Sequence, residues 1–369
     1  MRGIYCPWRI SFWQESIWTE AMPYAIPDKM RALLVEQYED DLSAAIRDLK
    51  VVQRSVPQPS WGQVLVKVEA APCNPSDLLL LQGKYGTRKT LPFVPGWEGA
   101  GTVVGAGGGW LARWLVGKRV ACALQEDRDG TWAQYFVANA AECTPLKRQL
   151  PIEQAASLFI NPFTAMGLLD TARRHGHRAA IHTAAASQLG RMILAMATQA
   201  NYPIIHVVHR SAQVELLESL GAKHVLNSSD DDFTDQLRAI SERLGATAAF
   251  DAIGGDMTGT ILCLMPPSST VYVYGALSGG PCGNIDPIQL IFQDKKITGF
   301  YLGAWIRSRG MLSLLRAASR VQRMLIEGSI ETKVQRRLRL EDAAHGLRQY
   351  IDQMTEGKVL IMPHTAQSG

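Results

Sequence analysis

Cysteine is scarce in this 369-residue chain: six residues, at 6, 73, 122, 143, 263 and 282, with no C-x-x-C pair among them. That spacing excludes a disulfide-stapled scaffold and gathers no thiolate set around one metal, so free thiols in a reducing cytosol are expected. Long apolar runs are also missing. Charges, prolines or glycines interrupt every stretch before the roughly 20 residues of a membrane span, so no transmembrane helix and no membrane partner are expected. Charge of one sign is not in excess either: 38 Lys and Arg stand against 34 Asp and Glu, a net +4, with no run of five basic residues. Nucleic-acid binding therefore has no compositional support. What is present is 47% hydrophobic and 20% charged residues, interleaved throughout. That is the composition of a soluble globular protein, long enough for two domains.

Residues 1–29 hold three Trp, three Pro and two Glu, and lack the apolar core of a secretory signal and the acid-poor pattern of a transit peptide. Met30 opens an apolar segment that reads as a first strand. An upstream start codon would account for what precedes it; a structured arm capping a pocket with its tryptophans is the alternative. From Gln63 to Ala70, Val64, Val66 and Val68 alternate with Leu65, Lys67 and Glu69, and β-rich runs recur at 100–104, 117–124 and 131–138. With no helix-length amphipathic segment between Trp61 and Glu153, residues 30–150 are expected to form a β domain. After Pro151 the rhythm changes to apolar strands at 178–183, 204–208, 223–227, 248–253, 270–274 and 296–302, separated by helix-length segments. Alternation of this kind predicts a doubly wound parallel sheet over 151–303, with a nucleotide outside the carboxyl ends of its strands. The remainder, 304–369, adds a helix, a basic strand at Val334–Leu340, a helix at Glu341–Thr355 and a strand at Lys358–Met362, returning to the first domain.

The first strand-to-helix turn of the second domain reads His182-Thr183-Ala184-Ala185-Ala186-Ser187-Gln188-Leu189-Gly190, before a helix expected at Arg191–Ala200. Small residues from Ala186 to Gly190 permit close backbone approach, and the helix N-terminus offers N–H groups to a pyrophosphate. With a single Gly, the turn also reads as an ordinary tight connection. The second strand ends in Val207-Val208-His209-Arg210-Ser211, where an NAD-selective protein usually carries an acid. Arg210 with His209 and Ser211 can pair a 2′-phosphate, which favours NADPH over NADH, although a solvated loop arginine would look the same. Gly254, Tyr274 and Gly275 end the fourth and fifth strands, where the backbone can lie against nicotinamide and ribose; turn chemistry explains them equally.

The stretches Asn74-Pro75-Ser76-Asp77, Pro95-Gly96-Trp97-Glu98-Gly99 and Gly130-Thr131-Trp132-Ala133-Gln134-Tyr135, with the Ala-rich turn, resemble the medium-chain dehydrogenase/reductase superfamily from Met30 to about Pro363. The resemblance implies a GroES-like β domain and a Rossmann-type sheet. Where the zinc enzymes of that superfamily carry a Cys and a His on the metal, this chain has Asn74 and Trp97, with Cys73 one residue out of register, and it lacks the four-cysteine lobe. No zinc is expected. Asn74 through Gly86, Asn161-Pro162-Phe163-Thr164-Ala165 and Leu290 through Trp305 further resemble the zinc-free trans-2-enoyl-thioester reductases of mitochondrial type. By that resemblance Tyr85 is the polar catalytic residue beside Asn74, Trp305 lines the acyl pocket, and Asn161, Thr164 and Lys358 touch the cofactor. A Phe300 to Leu302 strand lies beside it, and the edge strand at Ile297–Leu302 forms a homodimer.

The chemistry suits that role. Hydride delivery to an activated C=C bond builds charge on the neighbouring carbonyl oxygen, and a tyrosine hydroxyl, protonated at neutral pH, can donate to it. A loop Tyr packed on the β domain is the competing reading of Tyr85. Three functions are carried forward: reduction of a 2-enoyl thioester or enone, reduction of a quinone, and nucleotide binding without turnover. His175 and His177 read as solvated turn residues, Glu98 and Asp77 as structural braces, and Cys122 and Cys263 as small core residues.

Overall fold

In a computed structural model the chain is described over residues 25–123 and 128–365, so residues 1–24 of the extension read over 1–29 lie outside the described residues, and its last residue, Lys29, already belongs to the first strand. The first half is built on β1 (Lys29–Leu34), α1 (Leu42–Arg47), β2 (Lys50–Ser55), β3 (Gln63–Pro72), α2 (Pro75–Leu81), β4 (Glu98–Ala106), α3 (Trp110–Leu115), β5 (Arg119–Ala123), β6 (Tyr135–Asn139) and β7 (Cys143–Pro145). Val64, Val66 and Val68 are fully buried while Lys67 and Glu69 are half-buried, as the alternation predicts, but Leu65 on the same side as Lys67 and Glu69 is buried too, so this strand is covered on both faces at its start. Three short helices interrupt this half, where the sequence offered no helix-length periodicity. Each has only six or seven residues, too short to show one, and α2 starts on a Pro whose fixed φ suits a first helical turn.

The second half comprises α4 (Ile152–Ala156), α5 (Ile160–Arg174), β8 (Ala179–His182), α6 (Gln188–Gln199), β9 (Ile204–Val208), α7 (Ser211–Ser219), β10 (Val225–Asn227), α8 (Phe233–Leu244), β11 (Ala246–Asp251), α9 (Asp256–Leu264), β12 (Thr270–Val273), α10 (Pro287–Phe292), β13 (Lys296–Gly299), α11 (Leu302–Arg307) and α12 (Met311–Ile326). Its strands pair in parallel in the order β10-β9-β8-β11-β12-β13. Numbered within this sheet the order is 3-2-1-4-5-6, that of a dinucleotide-binding fold. The chain then returns through β14 (Val334–Leu338), α13 (Ala343–Ile351) and β15 (Lys358–Ile361), and β15 joins the first sheet beside β3. That sheet runs β14-β15-β3-β4-β5-β7, with β6 on β3.

Several expectations are corrected. The sixth parallel strand stops at Gly299, and Leu302 opens α11, so Phe300 to Leu302 is not strand. Ser187 caps α6 by accepting from the Gly190 N–H, which starts that helix at Gln188 rather than Arg191. His177 is buried, with its ring nitrogens on Thr247 Oγ1 and Tyr272 Oη, whereas His175 is exposed. Cys263 is half-exposed, because it sits at the end of α9 on the sheet's outer rim, while Cys122 is fully buried.

Two histidines sit in the sheet core at the paired positions His182 of β8 and His206 of β9. Burial pushes both below the usual histidine range, His206 to about 4, so they are neutral imidazoles in the folded protein. The unfolded chain takes up a proton near pH 6.5, which the folded chain refuses until about pH 4. The contribution to stability is therefore complete above 6.5 and lost on acidification. We expect wild type to lose about 3 kcal/mol relative to His206→Gln between pH 6.5 and 4, measured as the difference in urea midpoints across that range.

Candidate active site

The motif Asn74-Pro75-Ser76-Asp77 is a helix start. Asn74 is the N-cap of α2, and the Asp77 carboxylate accepts the Asn74 N–H at 2.7 Å and the Trp97 N–H at 2.9 Å. The Asn74 side chain faces the opposite way. Its Nδ2 donates to Glu98 at 3.0 Å and its Oδ1 accepts from Lys358 Nζ, which also donates to the Cys73 carbonyl at 3.2 Å. Glu98 Oε2 accepts the N–H groups of Phe159 and Ile160, both at 3.0 Å. Thus one carboxylate at the start of β4 holds α5 of the nucleotide half, and one lysine from β15 closes the same cluster.

All four polar side chains of the cluster are shielded from water. Burial raises the Asp77 carboxyl from 3.8 to about 7 and raises Glu98, and it lowers Lys358, each partly offset by the opposite charges nearby. The set does not fit a metal. An indole at 97 and an amide at 74 engaged on both ends offer no pair of soft donors, and a lysine ammonium lies beside them. Among the described residues no group of three or more His, Cys, Asp or Glu is placed to hold an ion.

Around this cluster stands an aromatic wall. Tyr85, half-buried, lies with its ring 4.9 Å from that of Trp97. Lys89, which no sequence signal marked, is buried with its Nζ 4.5 Å from the Trp97 ring. Phe159 and Phe163 pack at 5.2 Å, and Trp305 meets Phe163 edge-on at 6.4 Å. The Trp305 indole N–H is engaged by Asp170 at 3.2 Å, so only its ring is left to line a pocket. Phe300 packs beside it against α5, where a Cβ on Gly167 would meet both rings.

On the nucleotide side, Asn161 and Thr164 are buried in the first turns of α5, one residue and one turn beyond the backbone held by Glu98. The turn that leads from β8 into α6 contains Ala184 at φ 49°, two residues before Ala186, a left-handed conformation that alanine rarely adopts. A Cβ on Gly190 would lie 2.1 Å from the Ala185 carbonyl oxygen, so only glycine permits this approach. Gln188 turns its side chain to Glu331 and Lys333, which leaves its main chain to the turn, and Leu189 packs into the core. Across the switch point Thr183 Oγ1 donates to Asp251 at 2.8 Å, and Asp251 also accepts from the N–H groups of Ile253 and Gly254 and from Thr258. This fully buried acid, missed in the sequence, shapes the loop in which Gly254 has φ 71°.

At the end of β9, His209 and Arg210 are exposed together; the His209 ring reaches Ser228 and Ser229, and Arg210 reaches Thr355 Oγ1 at 3.4 Å. The Tyr274 hydroxyl is held by His182 at 2.9 Å, so a cofactor contact at 274 falls to the main chain next to Gly275. Small residues, a helix N-terminus and a basic strand end together fit a phosphorylated dinucleotide.

A parallel sheet of dinucleotide-binding order, joined to a GroES-like β domain with this cluster at the seam, defines a two-domain dehydrogenase or reductase. Residues 60–148 match the alcohol dehydrogenase GroES-like domain family, and residues 189–317 match the zinc-binding dehydrogenase family. A Mesorhizobium loti structure named as an NADPH:quinone reductase superposes with a TM-score of 0.85 at 34% identity, covering 92% of this chain and 100% of that one. The bovine mitochondrial enoyl-[acyl-carrier-protein] reductase is 29% identical over 76% of this chain and 74% of its own length. The rat synaptic vesicle membrane protein VAT-1 homolog is 28% identical over 83% of this chain and 78% of its own. The chain belongs to the medium-chain dehydrogenase/reductase superfamily and is an oxidoreductase.

Removing the ammonium of the cluster leaves two buried carboxylates without their cation. Lys358→Met is expected to cost about 3–5 kcal/mol in urea unfolding, more above pH 7 than below it, with part restored by adding Glu98→Gln.

Proposed function

We propose that this oxidoreductase is a zinc-independent, NADPH-dependent reductase of an activated C=C bond in a 2-enoyl thioester or an enone. The observation that carries the reading is Tyr85 set against Trp97 beside the buried Asn74–Lys358–Glu98 cluster. That arrangement sets one tyrosine hydroxyl, the proposed donor, beside a polar cluster whose own donors are already engaged. Bound NADPH would supply the hydride. Arg210 and His209 would hold its 2′-phosphate, the Ala186–Gly190 turn its pyrophosphate, and Asn161, Thr164, Gly254 and Gly275 its nicotinamide end, with Lys358 acting through Asn74. Tyr85 would donate to the substrate carbonyl oxygen as charge gathers there, and the Phe159, Phe163 and Trp305 rings would exclude water from the acyl chain.

The likeness to an NADPH:quinone reductase at 34% identity favours a second reading, hydride transfer to a flat quinone, in which Tyr85 is a wall and not a donor. For the assembly we infer a homodimer through β13, an edge strand of the parallel sheet, flanked by exposed Ile288, Ile291, Phe292 and Tyr301. Domain limits of 30–150, 151–303 and 304–369 suit the two sheets and the returning segment. Unpaired thiols at 73, 122, 143, 263 and 282 support a cytoplasmic setting. Among the described residues no helix is long and apolar enough to cross a membrane.

Purified protein is expected to oxidise NADPH in preference to NADH with a medium-chain trans-2-enoyl-CoA. Tyr85→Phe should then lower kcat by about 10²–10³-fold while NADPH affinity stays unchanged. Turnover of a quinone alone, undiminished in Tyr85→Phe, selects the second reading; NADPH binding without oxidation by either acceptor selects a non-catalytic role. Arg210→Glu is expected to reduce the NADPH over NADH preference in kcat/KM about 10–100-fold. Light scattering should give a dimer mass.

A further inference from the structure

Trp61 is brought beside the start of α3, which carries Trp110 and Trp114, so that three exposed tryptophans gather on the β domain. Trp61 is 79% exposed, Trp110 81% and Trp114 52%. A chain that buries Trp132 completely leaves these indoles in water, and the site is built to do so. The Trp61 ring lies flat on the turn Gly107-Gly108-Gly109: a Cβ on Gly108 would come within 2.4 Å of the indole, and one on Gly107 within 2.1 Å of the Pro59 carbonyl oxygen. The Gly62 N–H donates to the Gly108 carbonyl at 3.1 Å, pinning one segment to the other. Trp110 follows that turn directly, and Trp110 and Trp114 share one face of α3 at the i, i+4 spacing. The charge around them is basic. Lys118 Nζ sits 3.6 Å from the Trp114 ring centre, and Arg113 is exposed on the same helix.

We propose that this patch is a peripheral binding surface for an anionic lipid bilayer, with the three indoles seated among the headgroups and Lys118 and Arg113 against lipid phosphates. Indoles combine a large apolar body with one polar N–H, which suits the interface between water and hydrocarbon, and basic side chains add attraction to anionic lipid. A protein partner is the weaker fit. The three rings project from a turn and a short helix instead of lining a groove.

The test is flotation of the full chain with vesicles of phosphatidylcholine alone, or of equal parts phosphatidylcholine and phosphatidylserine. Wild type is expected to float with the anionic vesicles. Trp110→Ser/Trp114→Ser should lower the bound fraction at least about tenfold, with NADPH oxidation and far-UV circular dichroism unchanged. Lys118→Glu, which keeps all three indoles, should weaken binding to anionic vesicles and not to neutral ones. Wild type that does not float, or a double variant that floats as well as wild type, overturns the proposal. A double variant whose light-scattering mass falls below that of lipid-free wild type also overturns it, and makes the face a contact between chains.

Discussion

The arrangement depends first on where the Glu98 charge goes. One oxygen of this carboxylate takes two main-chain N–H groups at the start of α5 and the other takes the Asn74 amide, whose far end takes Lys358. A single buried ionic cluster therefore connects β4, α2, α5 and β15, two of them in the β domain, one in the nucleotide half and one in the returning segment. Solvation lost by a carboxylate is recovered only when its acceptor sites are all met, and here main-chain donors from the second half of the chain meet them. The register between the two sheets is fixed by the same contacts that shape the reacting corner.

On the nucleotide side the constraint is steric rather than ionic. The turn before α6 brings Ala185 and Gly190 too close for any side chain at 190, and it holds Ala184 in a left-handed conformation. Such strain persists where surrounding structure over-determines it. Here Ser187 caps the helix, Thr183 is tied to Asp251, and Gln188 clasps the segment at 331–333. The turn is thereby held in its strained shape at the N-terminus of α6.

Much of this was legible in the sequence. The parallel strands were marked by apolar runs of the right length, because the inner strands of such a sheet are buried on both faces and take few polar residues, His182 and His206 being exceptions. Asn74 and Trp97 were marked by standing where relatives carry metal ligands. Asp251 and Lys89 were not, since a buried acid or lysine reads in one dimension like any solvated charge, and its burial follows from partners far along the chain. Lys358 was expected at the cofactor; what periodicity could not reveal is that its ammonium is spent on Asn74 and the Cys73 carbonyl. The short helices α1, α2 and α3 escaped for a different reason, being two turns or fewer.

Cost and compensation are spatially separated. Of the polar groups that are expensive to bury, Asp77, Glu98 and Lys358 lie at the seam between the sheets, and His182 and Asp251 end their parallel strands, while His206 lies within β9. Apolar packing lies behind them. Leu33, Ile46, Leu80, Leu81 and Phe136 fill the β domain, Phe163, Leu168 and Phe250 one face of the parallel sheet, and Ile181, Val207, Leu237 and Val271 the other. The cores supply the excess from which a strained, partly ionic site can be maintained, and they need not change when the site does. A substitution in the seam therefore alters protonation and alignment as well as stability, whereas one in the cores away from the Phe159, Phe163 and Trp305 rings acts on stability first. That separation lets the polar seam vary while the packing that defines the fold stays as it is.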